Sequence, residues 1–292
     1  MAVAGTARGI ALLSIATVFF TAMDLQAQYL SSHYPATEIA FARFFANLVI
    51  VAALFLPRRG LRLFRTRRLG LQILRSLLLA ACTLCFFFAL RFMPLAEAVA
   101  IGLVSPIIVT ALSGPLLGEQ IGWRRWTAVG IGFVGALIIV RPGLDALHWS
   151  AFLVLLMALF YALFQIITRL IADTEDSVTT LFYSALIGSA ALAVLLPFGA
   201  RGPQSVEHLL LLASLGLWGA IAGFLLIRAF AHAPAAVLAP LSYLSLPTSA
   251  IGGLVIFGDF PDAWTWVGAG ILIATGIYIF HRERLRRLAT AP

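Results

Sequence analysis

Apolar residues run along the chain in blocks of roughly twenty, separated by short clusters of Arg, Pro, Gly or Asp. The blocks lie near residues 9–30, 36–56, 71–92, 95–117, 124–141, 149–171, 178–198, 207–230, 235–257 and 263–281. Most approach the roughly 20 residues that an α-helix, rising 1.5 Å per residue, needs to cross the hydrocarbon of a bilayer. The pattern predicts an all-α integral membrane protein with ten transmembrane helices. The link between the third and fourth blocks, Arg91-Phe92-Met93-Pro94, is so short that those two helices form an antiparallel hairpin. An even number of spans puts both termini on one side.

Laid over itself at a displacement of 140 residues, the chain matches at informative places. Ala89 falls on Ala229, Pro94 on Pro234, Ala96 on Ala236, Gly118 on Gly258, Glu119 on Asp259, Trp126 on Trp266, Gly130 on Gly270 and Ile131 on Ile271. Alanines and isoleucines coincide by chance; a proline, a glycine–acid pair and a tryptophan at one displacement rarely do. The expected units are residues 1–141, with spans 1 to 5, and residues 142–292, with spans 6 to 10 and a short basic tail. Five spans is an odd number, so the second half enters the membrane from the opposite face. Inverted halves of this kind enclose a central site reachable alternately from either side, the geometry of secondary transporters.

Composition excludes a water-soluble fold. Hydrophobic residues make up 62% and charged residues 11%, with a mean hydropathy of +1.02, whereas soluble domains are about half apolar and a quarter charged. The net charge of +8 comes from 20 arginines and no lysine. With the N-terminus in the cytoplasm, the clusters from Arg58 to Arg75 and from Arg282 to Arg287 lie on that side. Arg91, Arg141 and Arg201 lie opposite, and Arg43 lies within a span. The positive-inside rule then predicts a multi-pass protein of the inner (plasma) membrane with both termini cytoplasmic. These charges orient the chain in a bilayer, and no nucleic acid partner is expected. The first block carries Asp24, Gln26 and Gln28 and lacks a small-residue cleavage site, so it reads as a span and not as a signal peptide. Cys82 and Cys85 have the C-x-x-C spacing but lie in a span with no attendant His; neither a disulfide framework nor a metal site is expected.

Ionisable residues inside a bilayer cost at least a few kcal/mol each, so each is a functional candidate until a partner is found. Asp24 is the deepest carboxylate, roughly 20 Å along a helix starting near residue 9. Phe20, Asp24 and Gln28 recur every four residues and share a face. That face suits a substrate or proton site whose carboxylate meets a substrate amine; a structural ion pair with Arg43 is the alternative. Glu38, Arg43 and Asn47 lie on the second span as structural or coupling residues. Arg43 either pairs with Asp24, Glu38 or Glu97 or anchors a substrate carboxylate. Glu97 opens the fourth span, where it caps a helix N-terminus or faces the solute.

Tyr161, Gln165 and Thr168 share a stripe on the sixth span, and Trp218, Ala222 and Leu225 share one on the eighth. Such stripes suit an apolar or aromatic solute, or plain helix packing. Pro240 and Pro247 interrupt the ninth span, and Pro106, following Ser105, interrupts the fourth. Broken helices at corresponding places in two halves point to a transporter site, which adds Ser105, Ser242, Tyr243 and Ser245 as lining candidates. Glycines 130, 132, 135, 268, 270 and 276 let spans 5 and 10 approach closely, within one chain or across a homodimer.

The stretch Ala89-Leu90-Arg91-Phe92-Met93-Pro94-Leu95-Ala96-Glu97-Ala98, followed by Pro106, Gly118-Glu119, Trp126 and the Gly130 series, resembles the EamA signature of the drug/metabolite transporter superfamily. The second copy, Ala229-Phe230-Ala231-His232-Ala233-Pro234-Ala235-Ala236 with Pro240, Pro247, Gly258-Asp259, Trp266 and Gly270, resembles it too, with Asp259 where Glu is common. The resemblance implies two inverted five-helix repeats around a cavity lined mainly by spans 1, 3, 4, 6, 8 and 9. It implies transport of small organic solutes, commonly outward, with a lean toward exporters of aromatic and apolar amino acids. Exporters of drugs, nucleosides or other metabolites are the alternative. No G-x-S-x-G, H-E-x-x-H or nucleotide-binding loop occurs, so neither an enzyme, nor a cofactor, nor internal ATP drive is expected. Protons remain a candidate coupling ion, with Asp24 or Glu97 as the group involved.

Overall fold

The computed structural model describes residues 2–117, 123–141, 149–171, 174–232 and 239–289. All regular structure among them is helical. The order is α1 (Ala2–Ser31), α2 (Ala36–Arg59), a 3₁₀ turn (Gly60–Phe64), α3 (Leu69–Ala89), α4 (Leu95–Gly102), α5 (Ser105–Leu117), α6 (Trp123–Val140), α7 (Trp149–Ile171) and α8 (Ser177–Ala193). A 3₁₀ turn (Leu196–Phe198), α9 (Val206–His232), a 3₁₀ segment (Ala239–Leu244), α10 (Ser245–Phe257) and α11 (Ala263–Ala289) follow. Gly118, Glu119, Pro234 and Ala236, used above to align the halves, lie outside the described residues.

Among the described residues, seven helical stretches are long and apolar enough to cross a membrane, and Trp126–Val140, Ser245–Phe257 and Ala263–Ile279 are shorter apolar helices. Their ends follow local chemistry. Pro35, in extended conformation, precedes α2, whose end is turned by Gly60 at φ 54°. The Asp176 carboxylate accepts the N–H groups of Val178 and Thr179, at 3.1 and 3.2 Å, and so caps α8.

The fourth apolar block is interrupted as Pro106 leads one to expect. It ends as α4 at Gly102 and resumes as α5 at Ser105. Leu103 still donates to Val99 in the α-helical pattern at 3.1 Å, and Val104 then donates to Ile101 at 3.1 Å in a tighter 3₁₀-type bond. The ninth block likewise changes from 3₁₀ to α-helix at Ser245.

In the bundle α1 packs on α9, α3 on α7, α2 on both α8 and α9, α3 on α8, α5 on α7 and α1 on α10. The glycine-rich faces of α6 and α11 lie against each other. A Cβ at Gly268 would stand 3.2 Å from the Ile139 amide nitrogen, and one at Gly135 would stand 3.0 Å from the Gly268 carbonyl, so only glycine permits this approach. The contact is within one chain.

One expectation is corrected. Arg75, grouped above with the basic loop, sits inside α3 at 7% exposure. Its Nε donates to Thr168 Oγ1 and its Nη1 to Ser184 Oγ, both at 2.6 Å, and its guanidinium lies 4.4 Å from the Phe164 ring centroid. Arg75 thereby joins α3 to α7 and α8.

Candidate functional site

A charged group sits where α1, α2, α3 and α7 meet. Arg43 on α2 is within electrostatic reach of Asp24 on α1, Cys82 on α3 and Tyr161 on α7. Asp24 and Arg43 are both half-buried, yet no salt bridge joins them among the described residues. Arg43 donates instead to Thr83 Oγ1 at 3.1 Å and lies 5.6 Å from the ring centroids of both Phe44 and Phe87. The Asp24 carboxylate makes no hydrogen bond among the described residues, and Arg43 supplies an opposite charge within reach. Tyr161 keeps 39% of its surface accessible and lies within electrostatic reach of Arg43.

The remaining sequence candidates are distributed differently. Gln28 is committed: its Oε1 accepts the Leu95 N–H at 3.2 Å, at the first residue of α4. Gln26, which sequence reasoning left without a role, ties α1 to α9. Its amide donates to Ser214 Oγ at 2.8 Å and to the Leu211 carbonyl, and its oxygen accepts from Trp218 Nε1 at 2.8 Å. Trp218 also lies against Phe19 with ring centroids 5.6 Å apart. Gln165 is half-buried with no hydrogen bond among the described residues. Ser105 is buried, and the Pro106 carbonyl accepts from Thr110 Oγ1 at 2.9 Å. Tyr243 packs toward Gly276 on α11, Pro247 is half-buried in α10, and the side chains of Pro240 and Ser242 lie outside the described residues. Asn47 lies one turn from Arg43, and its Oδ1 is buried without a partner. Glu38 accepts the Arg201 N–H at 2.9 Å.

Glu97 does not join the central pair. With Phe92, Pro94, Ile139 and Arg141 it lines a pocket of about 260 Å³ at the end of the bundle opposite the arginine-rich loop. Arg141, at φ 48°, is ion-paired with Asp262 at that end. Burial works to raise the Asp262 pKa, but hydrogen bonds from Thr265 and Arg141 outweigh it and hold the carboxyl below its usual value.

The arginine-rich end is clasped by the loop between α7 and α8. Glu175 Oε1 accepts the N–H groups of Arg67 and Arg68 at 2.8 and 3.0 Å, and Asp176 pairs with Arg59. Burial acts to raise the Glu175 pKa, but donors from Thr66, Arg67, Gln72 and Arg68 outweigh it, and the carboxyl lies below its ordinary value. No cluster of His, Cys, Asp or Glu fit to hold a metal occurs among the described residues.

A helical bundle with stretches of membrane-crossing length and charged side chains held inside it defines a polytopic membrane protein. The chain belongs to the EamA-like transporter family, whose model matches residues 7–141 and again residues 148–281. It is a transporter of the drug/metabolite kind. It is 31% identical to the S-adenosylmethionine uptake transporter of Rickettsia bellii, over 94% of each chain. It is 30% identical to a riboflavin transporter of Rhizobium johnstonii, over 93% of this chain and 90% of that one. It is 26% identical to the pseudopaline exporter CntI of Pseudomonas aeruginosa, over 94% and 96%. One solved crystal structure superimposes with a TM-score of 0.64 at 16% identity, covering 92% of this chain and 95% of that chain, a likeness of fold.

Proposed function

We propose that the protein moves a small zwitterionic organic solute of amino-acid type across the inner (plasma) membrane by alternating access. Asp24 receives the positive group and Arg43 the carboxylate. The observation that carries this reading is the pair itself: two opposite charges inside the spans, within electrostatic reach, with no salt bridge between them. A carboxylate inside a span without a protein hydrogen bond is costly. A bound cation offsets that cost, and a solute that supplies the cation together with an anion for Arg43 serves both.

The architecture we propose is ten spans in two inverted halves, residues 1–141 and 142–292, with both termini cytoplasmic. The seven long apolar helices and three shorter ones support it, as does the double match of the family model. The packing pairs support it as well. A displacement of 140 residues takes α5, starting at Ser105, onto α10, starting at Ser245, and α6, starting at Trp123, onto α11, starting at Ala263. Under that exchange the contact of α1 with α9 becomes that of α7 with α3, α2 with α9 becomes α8 with α3, and α5 with α7 becomes α10 with α1; all these contacts occur.

Among candidate cargoes, S-adenosylmethionine, named for relatives at 31% identity, has an amino-acid zwitterion and a sulfonium, which suits the pair. Aromatic and apolar amino acids share the zwitterion and suit Tyr161 and Trp218, but no relative described here is named for them. The relatives' names also cover both uptake and export. Flux of S-adenosylmethionine, aromatic amino acids, riboflavin and a cationic drug, measured in vesicles containing only the purified protein, tests the reading. Saturable flux of the zwitterions is expected; flux of the drug or riboflavin alone replaces it.

A further inference from the structure

A second cavity, separate from the charged pair, opens on the flank of the bundle between α2 and α9, with a volume of about 470 Å³. Its walls are almost wholly apolar and include Phe41, Phe45, Val49, Leu209 and Leu212, and Glu38 and Pro203 stand at one end. From Glu38 to Ile50 along α2 it extends roughly 18 Å at 1.5 Å per residue. One leaflet of a bilayer's hydrocarbon core is roughly 15 Å deep, half of about 30 Å. The slot thus runs along the spans for the depth of one leaflet. Phe45 and Val49 are 49% and 51% exposed, so it is open on its flank. The two helices touch closely at Gly216, where a Cβ would stand 2.6 Å from the Asn47 amide nitrogen.

The charges at its mouth are incomplete. Glu38 is 6% exposed, and one carboxylate oxygen accepts the Arg201 N–H at 2.9 Å. Its other oxygen makes no hydrogen bond among the described residues, and the exposed Arg201 guanidinium has no carboxylate partner there. A carboxylate oxygen at the end of an apolar slot is stabilised by a small hydrogen-bond-donating cation. Arg201, whose backbone N–H reaches Glu38 and whose side chain is exposed, carries a guanidinium that suits a phosphate.

We propose that this slot is a binding site for a phospholipid with a primary-amine headgroup, such as phosphatidylethanolamine. One acyl chain lies along Phe41, Phe45 and Val49, the ammonium donates to Glu38, and the phosphate pairs with Arg201. The site is independent of the solute pathway, and its occupancy is read without any transport measurement. It seats a lipid at the seam between α2 and α9, which the proposed halves contribute separately.

Native mass spectrometry of the purified protein, with chain-matched phosphatidylethanolamine, phosphatidylcholine and phosphatidylglycerol added singly, tests it. The expected result is retention of phosphatidylethanolamine with about tenfold preference over the other two. Glu38→Gln, which keeps an acceptor for the Arg201 N–H, removes the preference. Ala213→Trp, a replacement at an exposed slot residue, lowers retention of all three while the melting temperature in detergent stays at the wild-type value in the absence of added lipid. Equal retention of the three lipids, retention of none, an unchanged preference in Glu38→Gln, or displacement of the lipid by S-adenosylmethionine would overturn the proposal.

Discussion

Asp24 carries the strongest demand on any single residue. A carboxylate in a span, with no hydrogen bond among the described residues, persists only where water or a ligand replaces what the protein withholds. Asp24→Asn keeps the shape and removes the charge. We expect it to lower kcat/KM for a zwitterionic solute at least about tenfold, equivalent to roughly 1.4 kcal/mol, while folding is retained; transport assay and size-exclusion profile check both halves of that statement. Gln26 makes the opposite case of a fully engaged polar group. Gln26→Ala strands Trp218 Nε1 and removes a donor to Ser214 Oγ, and is expected to cost about 1–3 kcal/mol of stability, measured by unfolding in mixed micelles. The sequence located Asp24 and its depth, but Arg43's partner, Thr83, lies 40 residues away on a different helix and carries no distinguishing signal. Arg75 was misplaced for the same reason. It follows a run of loop arginines, and the hydroxyls of Thr168 and Ser184 that receive it are 93 and 109 residues distant.

Among the helices, backbone chemistry was the more legible part. Pro106 marked the break between α4 and α5, and the glycine series marked the faces on which α6 and α11 meet. Periodicity alone gave neither the crossing point nor the partner face. Gly268→Leu is expected to destabilise the protein by about 1–3 kcal/mol through overpacking against Ile139. Gly130→Leu, where an added Cβ meets nothing within 4 Å, should change stability by no more than about 0.5 kcal/mol. Parallel thermal melts of the two variants distinguish a specific helix contact from a general intolerance of bulk. The clasp between the α7–α8 loop and the start of α3 was invisible in sequence, because Glu175 and Asp176 read as ordinary loop acids. Since the Glu175 pKa is depressed in the folded protein, its contribution is present above the ordinary carboxylate pKa and is lost as pH falls through the lower, folded value. Acid melts should therefore show wild type losing stability relative to Glu175→Gln on descending below about pH 4.3, with the difference constant at neutral pH.

Across the whole molecule, the two proposed halves share helix boundaries but not chemistry. The positions 140 residues beyond Asp24 and Arg43 are Phe164 and Tyr183, so the first half supplies the charges and the second supplies rings and hydroxyls. Duplication alone would have suggested a symmetric site; the asymmetry of the proposed site appears only when the spans are assembled and Tyr161 comes within electrostatic reach of Arg43. Specificity in this account follows from charge geometry, and the aromatic wall adjusts affinity among zwitterions. The most direct measurement compares flux of a transported zwitterion with that of its carboxyl methyl ester and its N-acetyl derivative, in wild type, Asp24→Asn and Arg43→Gln. Wild type should reject both derivatives, Arg43→Gln should stop distinguishing the ester, and Asp24→Asn should stop distinguishing the N-acetyl compound. Unchanged discrimination in both variants would show that the pair does not hold the solute.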